Sequence, residues 1–116
     1  MTTTLSALDK AARYSFKVGD IVYTANAGAT YFRVTKRTKC LVTLQRIQSE
    51  AVDYSDGGYG QRGFTVPLNI DCTYPESVVS SRIKTDEEGN EEAFIDGNWY
   101  QHIRPYDGQP KPYDTY

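Results

Sequence analysis

Apolar and polar residues alternate with a period of two from Phe16 to Ile47, and that stretch sets the expectation for the whole chain. Phe16, Val18, Ile21 and Tyr23 form the first apolar set, with a change of parity at Gly19-Asp20 that predicts a bulge or tight bend. Glycine permits such a bend, and the Asp20 carboxylate can accept hydrogen bonds from backbone N–H groups. Residues 25–29, ANAGA, are too small and too weakly patterned for a strand and read as a loop. A second run then places Phe32 and Val34 on one face and Tyr31, Arg33 and Thr35 on the other. Lys36 to Lys39 must turn the chain, because a third run follows directly. It has Cys40, Val42 and Leu44 on one parity and Leu41, Thr43, Gln45 and Ile47 on the other. Apolar residues on both parities suit a strand bent at a barrel corner. Three runs joined by turn-length connections predict an antiparallel meander.

The second half is less regular. Asp53 to Gly63 has four glycines in eleven positions and reads as a loop. Phe64, Val66 and Leu68 alternate, but Pro67 demotes that run to an edge strand or an extended cover. Val78 to Thr85 and Glu91 to Ile95 form a hairpin about Gly89-Asn90, residues that tolerate positive φ. Trp99, Tyr100 and Ile103 make a short apolar segment. Residues 105–116 form an extended tail with three prolines and three tyrosines, whose rings would strap it to the body. Residues 1–15 are a polar lead-in with a possible helical turn capped by Thr4 or Ser6, its face formed by Leu5, Leu8 and Ala12. The expected fold is therefore a single all-β domain over residues 16–104. It is a small, bent antiparallel barrel of five or six strands, Src-homology-3-like in general shape.

At 116 residues the chain is one domain's worth, and ten tyrosines supplement an aliphatic core of modest size. Its net charge of −2 hides an asymmetry: residues 1–50 hold eight Lys or Arg against three Asp or Glu, and residues 51–116 hold five against twelve. Either the halves pair across the fold, or the first three strands present a basic face to phosphates or an acidic partner. Cys40 and Cys72, only two and far apart, read as buried free thiols rather than a secreted disulfide framework. No apolar run nears the roughly twenty residues that span a bilayer, and the N-terminus lacks the pattern of a signal peptide. These features predict an intracellular protein that does not enter membranes, with a place in a virion also open.

Val18-Gly19-Asp20-Ile21, Tyr31-Phe32-Arg33-Val34 and Val42 to Ile47, with the closing Asp107-Gly108-Gln109-Pro110 and Asp114-Thr115-Tyr116, resemble a group of small uncharacterised proteins of phages and mobile elements. The resemblance spans about Phe16 to Tyr116. It implies a small β-rich fold and a viral or mobile-element origin, and carries no functional residues. Members often have an aromatic Ser-Trp-Gly-Tyr-like loop where this chain has Thr24-Ala25-Asn26-Ala27-Gly28.

Catalysis finds little footing. His102 is the single histidine, and nothing in the spacing brings it to Cys40 or Cys72. No CxxC or His pair suggests a metal, and no cofactor is implied. In Asp86 to Glu92 the glycine falls fourth, not sixth as a calcium loop requires, so it reads as a solvated acidic hairpin tip. Gly57 to Gly63 lacks the Gly-Lys-Ser/Thr ending of a phosphate loop. The expected function is a non-enzymatic accessory module that contacts a protein partner through barrel loops and exposed aromatics. The alternative is a nucleic-acid-binding barrel using Tyr31, Arg33, Lys36, Arg37 and Lys39, with Tyr31 and Arg33 on one face to meet a base and a phosphate. An acidic pI of about 5.3 weighs against non-specific nucleic-acid binding.

Overall fold

Strands form where the two-residue alternation predicts them, and also where it does not. The computed structural model describes residues 14–25, 28–55, 61–97 and 101–115. The expected helical turn near Leu5 and Leu8, the loop residues 56–60 and the Trp99-Tyr100 pair lie outside these. Among the described residues the strands are β1 (Ile21–Thr24), β2 (Thr30–Arg37), β3 (Leu41–Ser55), β4 (Gln61–Asp71), β5 (Val78–Arg82), β6 (Lys84–Thr85), β7 (Glu91–Glu92), β8 (Arg104–Pro105) and β9 (Lys111–Thr115). Two 3-10 turns, Pro75–Ser77 and Ile95–Gly97, complete the set, so the described chain is all-β. No helix among the described residues is long and apolar enough to cross a membrane.

The main sheet runs β8-β1-β2-β3-β4-β9, with β5 also pairing β3, and every pairing is antiparallel. The long strand β3 makes this possible. Leu41 to Gln45 pair with β5, and Ile47 to Ser55 pair with β4. Within it, β8-β1-β2-β3-β5 with a 3-10 turn before β8 gives the expected small, Src-homology-3-like arrangement. The six strands β8-β1-β2-β3-β4-β9 make a curled antiparallel half-barrel.

One face carries the aliphatic core. Val22, Phe32, Val34, Val42 and Leu44 meet Phe16 on that face, and Ala93, Ile95 and Ile103 close over them. Each large side chain fully buried there contributes about 1.5–3 kcal/mol. Phe32, Val34, Val42 and Leu44 face inward as the alternation predicts.

The first strand differs. A turn spans Lys17 to Asp20, with Gly19 at φ +97°, and Asp20 N–H donates to the Lys17 carbonyl at 3.0 Å. The Asp20 carboxylate accepts from Lys17 N–H at 3.1 Å, as expected, and from the Tyr14 hydroxyl at 3.3 Å. The expected change of parity does not occur: Phe16, Val22 and Thr24, all at even positions, are buried, Ile21 and Tyr23 are half-buried, and Val18, in the turn, stands out in solvent.

A second difference is the β3–β4 hairpin, where the sequence reads as loop on both sides of residues 56–60. Gln48 to Val52 are all exposed, so this part of β3 has no buried face to impose a pattern; backbone pairing alone maintains it. Pro67 obeys the edge rule locally. It pairs with Ser49 of β3, and β9 reaches β4 only from Gln61 to Thr65, so Pro67 has no strand on its other side. The hairpin about Gly89 is shorter than expected, with only Lys84-Thr85 and Glu91-Glu92 paired. The chain after residue 104 is more than a strap: Pro105 belongs to β8 and Lys111–Thr115 is β9.

Candidate binding surface

The acidic half of the chain folds onto the basic half. Arg33 Nη2 lies 2.6 Å from Asp71 Oδ1, and its Nη1 donates to Asn69 Oδ1 at 2.8 Å. Arg37 Nη1 contacts Glu91 Oε1 at 2.6 Å and donates to the Phe16 carbonyl at 3.0 Å. That same Glu91 oxygen accepts from Phe16 N–H at 2.9 Å and Ser15 Oγ at 3.1 Å. Burial raises the Glu91 carboxyl, but the hydrogen bonds from Arg37, Phe16 and Ser15 outweigh it and hold the group below the ordinary carboxylate value. Tyr14 is joined to the same hairpin, since its N–H donates to Asn90 Oδ1 at 2.8 Å and its carbonyl accepts from Glu91 N–H at 2.9 Å. Burial, then the Asp20 charge, pushes the Tyr14 phenol well above its ordinary range.

Of the five residues nominated for nucleic acid, Lys36 and Lys39 are exposed, and Arg33 and Arg37 are engaged as described. Tyr31 is 1% exposed. Its face of β2 is covered because the sheet curls: its hydroxyl donates to the Thr65 carbonyl at 2.7 Å, and the Tyr106 ring meets it edge-on at 5.6 Å. Burial raises its phenol pKa accordingly. The five residues do not form one open surface.

The same curl builds a groove. The Tyr23 ring of β1 lies tilted to that of Tyr31 and edge-on to that of Tyr106, at 6.3 and 6.5 Å between ring centroids. Across from it, Lys111 of β9 places its ammonium 4.9 Å from the Tyr23 ring centre. Beside them lies a cavity of about 520 Å³ lined by Tyr23, Ala25, Gly28, Ala29, Phe64, Lys111 and Pro112. Ala25, Gly28 and Ala29 form a wall of small residues. Lys111 is the one charged residue among those lining it, and Asp107 Oδ1 sits 2.8 Å from its ammonium, raising the Lys111 pKa and lowering that of Asp107. The groove is therefore aromatic and apolar, with its single charge already neutralised.

Sequence reasoning nominated none of this groove. Tyr23 was legible as a strand aromatic, but Phe64, Lys111 and Pro112 join it only through the β4–β9 pairing, which brings Thr65 opposite Lys111. The remaining chemical candidates stay apart. His102 stacks on Phe94 at 4.9 Å and pairs with it as an isolated bridge. Both cysteines are free, but Cys40 is exposed and Cys72 half-buried, because Cys40 falls in the turn before β3 and not on its inward face. Among the described residues no group of His, Cys, Asp or Glu is arranged to hold a metal ion. At the acidic tip, Asp86 Oδ1 accepts from Glu88 N–H at 2.8 Å and Asn90 N–H at 2.9 Å, which uses that oxygen to close the turn. The chain matches no family model, no curated protein and no solved structure.

Proposed function

We propose that this protein is a non-enzymatic accessory module that holds a protein partner by an apolar side chain seated in the Tyr23–Phe64–Pro112 groove. The observation that carries this reading is the groove itself, an aromatic and apolar cleft of about 520 Å³ with no unspent charge. Pro112 supports side-chain insertion over strand addition. Proline has no N–H, which weakens β9 as an edge for another chain to extend. A viral or mobile-element origin rests on the resemblance of the opening and closing motifs. Nucleic-acid binding is the weaker reading, because Tyr31 is buried and Arg33 and Arg37 are paired with carboxylates.

Affinity capture from the native host, comparing the protein with Ala29→Trp, tests the reading. Tryptophan at position 29 fills the groove without touching the aliphatic core. A discrete polypeptide retained by the protein and lost in a normally folded variant is expected. Equal retention by both, or recovery of nucleic acid in place of a polypeptide, would refute it.

A further inference from the structure

The rim of a sheet is where another chain can add a strand, and natural sheets discourage this with proline, β-bulges or very short strands. Most rims of this sheet carry such a device. Pro105 lies in β8, Pro112 in β9, and Pro67 in the stretch of β4 that β9 leaves uncovered. A bulge interrupts β2 between Val34 and Lys36, and another interrupts β3 between Ala51 and Asp53. β6 and β7 have 2 residues each. β5 is the exception: Val78–Arg82 contains no proline and pairs with β3 in unbroken register.

The outer edge of β5 is open. Ile83 N–H donates to the Cys40 carbonyl at 2.8 Å, which continues the β3–β5 register by one residue and sets the phase of the ladder. In an antiparallel ladder both backbone groups of a residue point to the same side, and the side alternates along the strand. Val79 and Ser81 are therefore turned towards β3, whereas Val78, Ser80 and Arg82 present N–H and C=O away from it. Among the described residues no backbone group bonds those outward groups, and the space beside Ser80 to Arg82 is an open cleft, not another strand. Val78, Ser80 and Arg82 are all exposed.

We propose that β5 pairs with β5 of a second copy of this chain, antiparallel about a two-fold axis at Ser80. That register overlaps the whole strand. Ser80 faces Ser80 of the second copy, Val78 faces Arg82 of the second copy, and the outward N–H and C=O groups of each strand gain partners. In this register the strand is complementary to itself. Its single charge, Arg82, meets an apolar residue and not a like charge, and the small Ser80 lies on the axis. An isologous contact of this kind closes at a dimer. β5 contributes no residue to the aromatic groove, so the dimer stands independently of the proposed partner site.

Sedimentation velocity of the full chain over a concentration series tests this, with amide hydrogen exchange as the residue-level readout. A reversible step from 13.1 kDa to twice that mass is expected, with the Ser80 and Arg82 amides exchanging more slowly as concentration rises. Ser80→Pro removes an N–H that faces away from β3, so the β3–β5 ladder is kept and the dimer weakens by about tenfold or more. Val78 is 52% exposed, so two charge variants there test the register without touching the core. Val78→Lys, set against Arg82 of the second copy, should weaken the dimer by about tenfold, and Val78→Glu should tighten it severalfold. A monomer at every concentration up to about 1 mM, with exchange at Ser80 and Arg82 unchanged, would overturn the proposal. So would a dimer that is unaffected by Ser80→Pro, or one that responds alike to lysine and glutamate at position 78.

Discussion

Removing the Glu91 carboxylate should loosen the whole N-terminal edge of the barrel. One oxygen of Glu91 accepts from Arg37, from Phe16 N–H and from Ser15; beside it, Glu91 N–H donates to the Tyr14 carbonyl and Asn90 Oδ1 accepts from Tyr14 N–H. Phe16 is 1% exposed and belongs to the core, so this clasp positions a core residue and not only a surface loop. The pair is neither exposed nor fully buried, with side-chain exposures of 24% for Arg37 and 21% for Glu91. Exposed pairs contribute about 0–1 kcal/mol, whereas breaking a buried one costs about 3–5 kcal/mol. The intermediate burial, and a Phe16 N–H left without its acceptor, place Glu91→Ala at about 2–3 kcal/mol. For a domain of this size that lowers Tm by about 8–12 °C. Thermal and urea unfolding measure it, and a double-mutant cycle with Arg37→Ala should return about 1–2 kcal/mol of coupling. The sign of the pH dependence follows from the lowered Glu91 pKa. The contribution is complete above the ordinary value of 4.5 and is lost as pH falls through the lower value of the folded state. The stability gap between the protein and Glu91→Ala should therefore narrow as the pH falls below 4.5. A Tm within ~2 °C of the unchanged protein, or a gap independent of pH, would refute the reasoning.

Leu44→Ala, at a side chain with no exposure, should cost about 2–5 kcal/mol in urea unfolding, whereas Leu41→Ala, 45% exposed three residues earlier, should cost under ~1 kcal/mol. Gly19→Ala meets no atom within 4 Å of the new Cβ, so only its φ of +97° opposes it, and the expected loss is about 1–2 kcal/mol. Ser81→Ala removes an unsatisfied buried hydroxyl and should raise stability by up to ~1 kcal/mol, read as a higher Tm. A thiol reagent added to the native protein should label Cys40 first and Cys72 more slowly, by mass spectrometry of tryptic peptides.

The alternation of Phe32-Val34 and Val42-Leu44 was enough to read the central strands and their inward face, because one side of that sheet is packed and buried. Ile21 and Tyr23 were misread for a local reason. A turn at Gly19 can shift the inward parity or keep it, and only the pairing of Val22 with Phe32 shows that it is kept. The β3 extension was illegible because Gln48 to Val52 bury nothing, so the strand leaves no hydrophobic trace. Tyr31 presents the opposite case: its alternation was right, but its face is covered by Thr65 and Tyr106 from distant parts of the chain. The groove shares that dependence, and so does the pairing of Arg33 with Asp71. Long-range closure of the sheet leaves no short-range pattern to find.

That closure is also the most exposed claim. β1 and β9 are separated in the sheet by β2, β3 and β4, and Tyr23 can approach Lys111 only if the sheet curls. Nuclear Overhauser contacts between the Tyr23 ring and the Lys111 side chain, with Lys111 methylene protons shifted upfield by the ring, are the direct measurement. Their presence is expected, together with Tyr31–Tyr106 ring contacts at the 5.6 Å separation. Lys111 methylenes at random-coil positions with no contact to Tyr23 would mean an open sheet, and the groove would not exist.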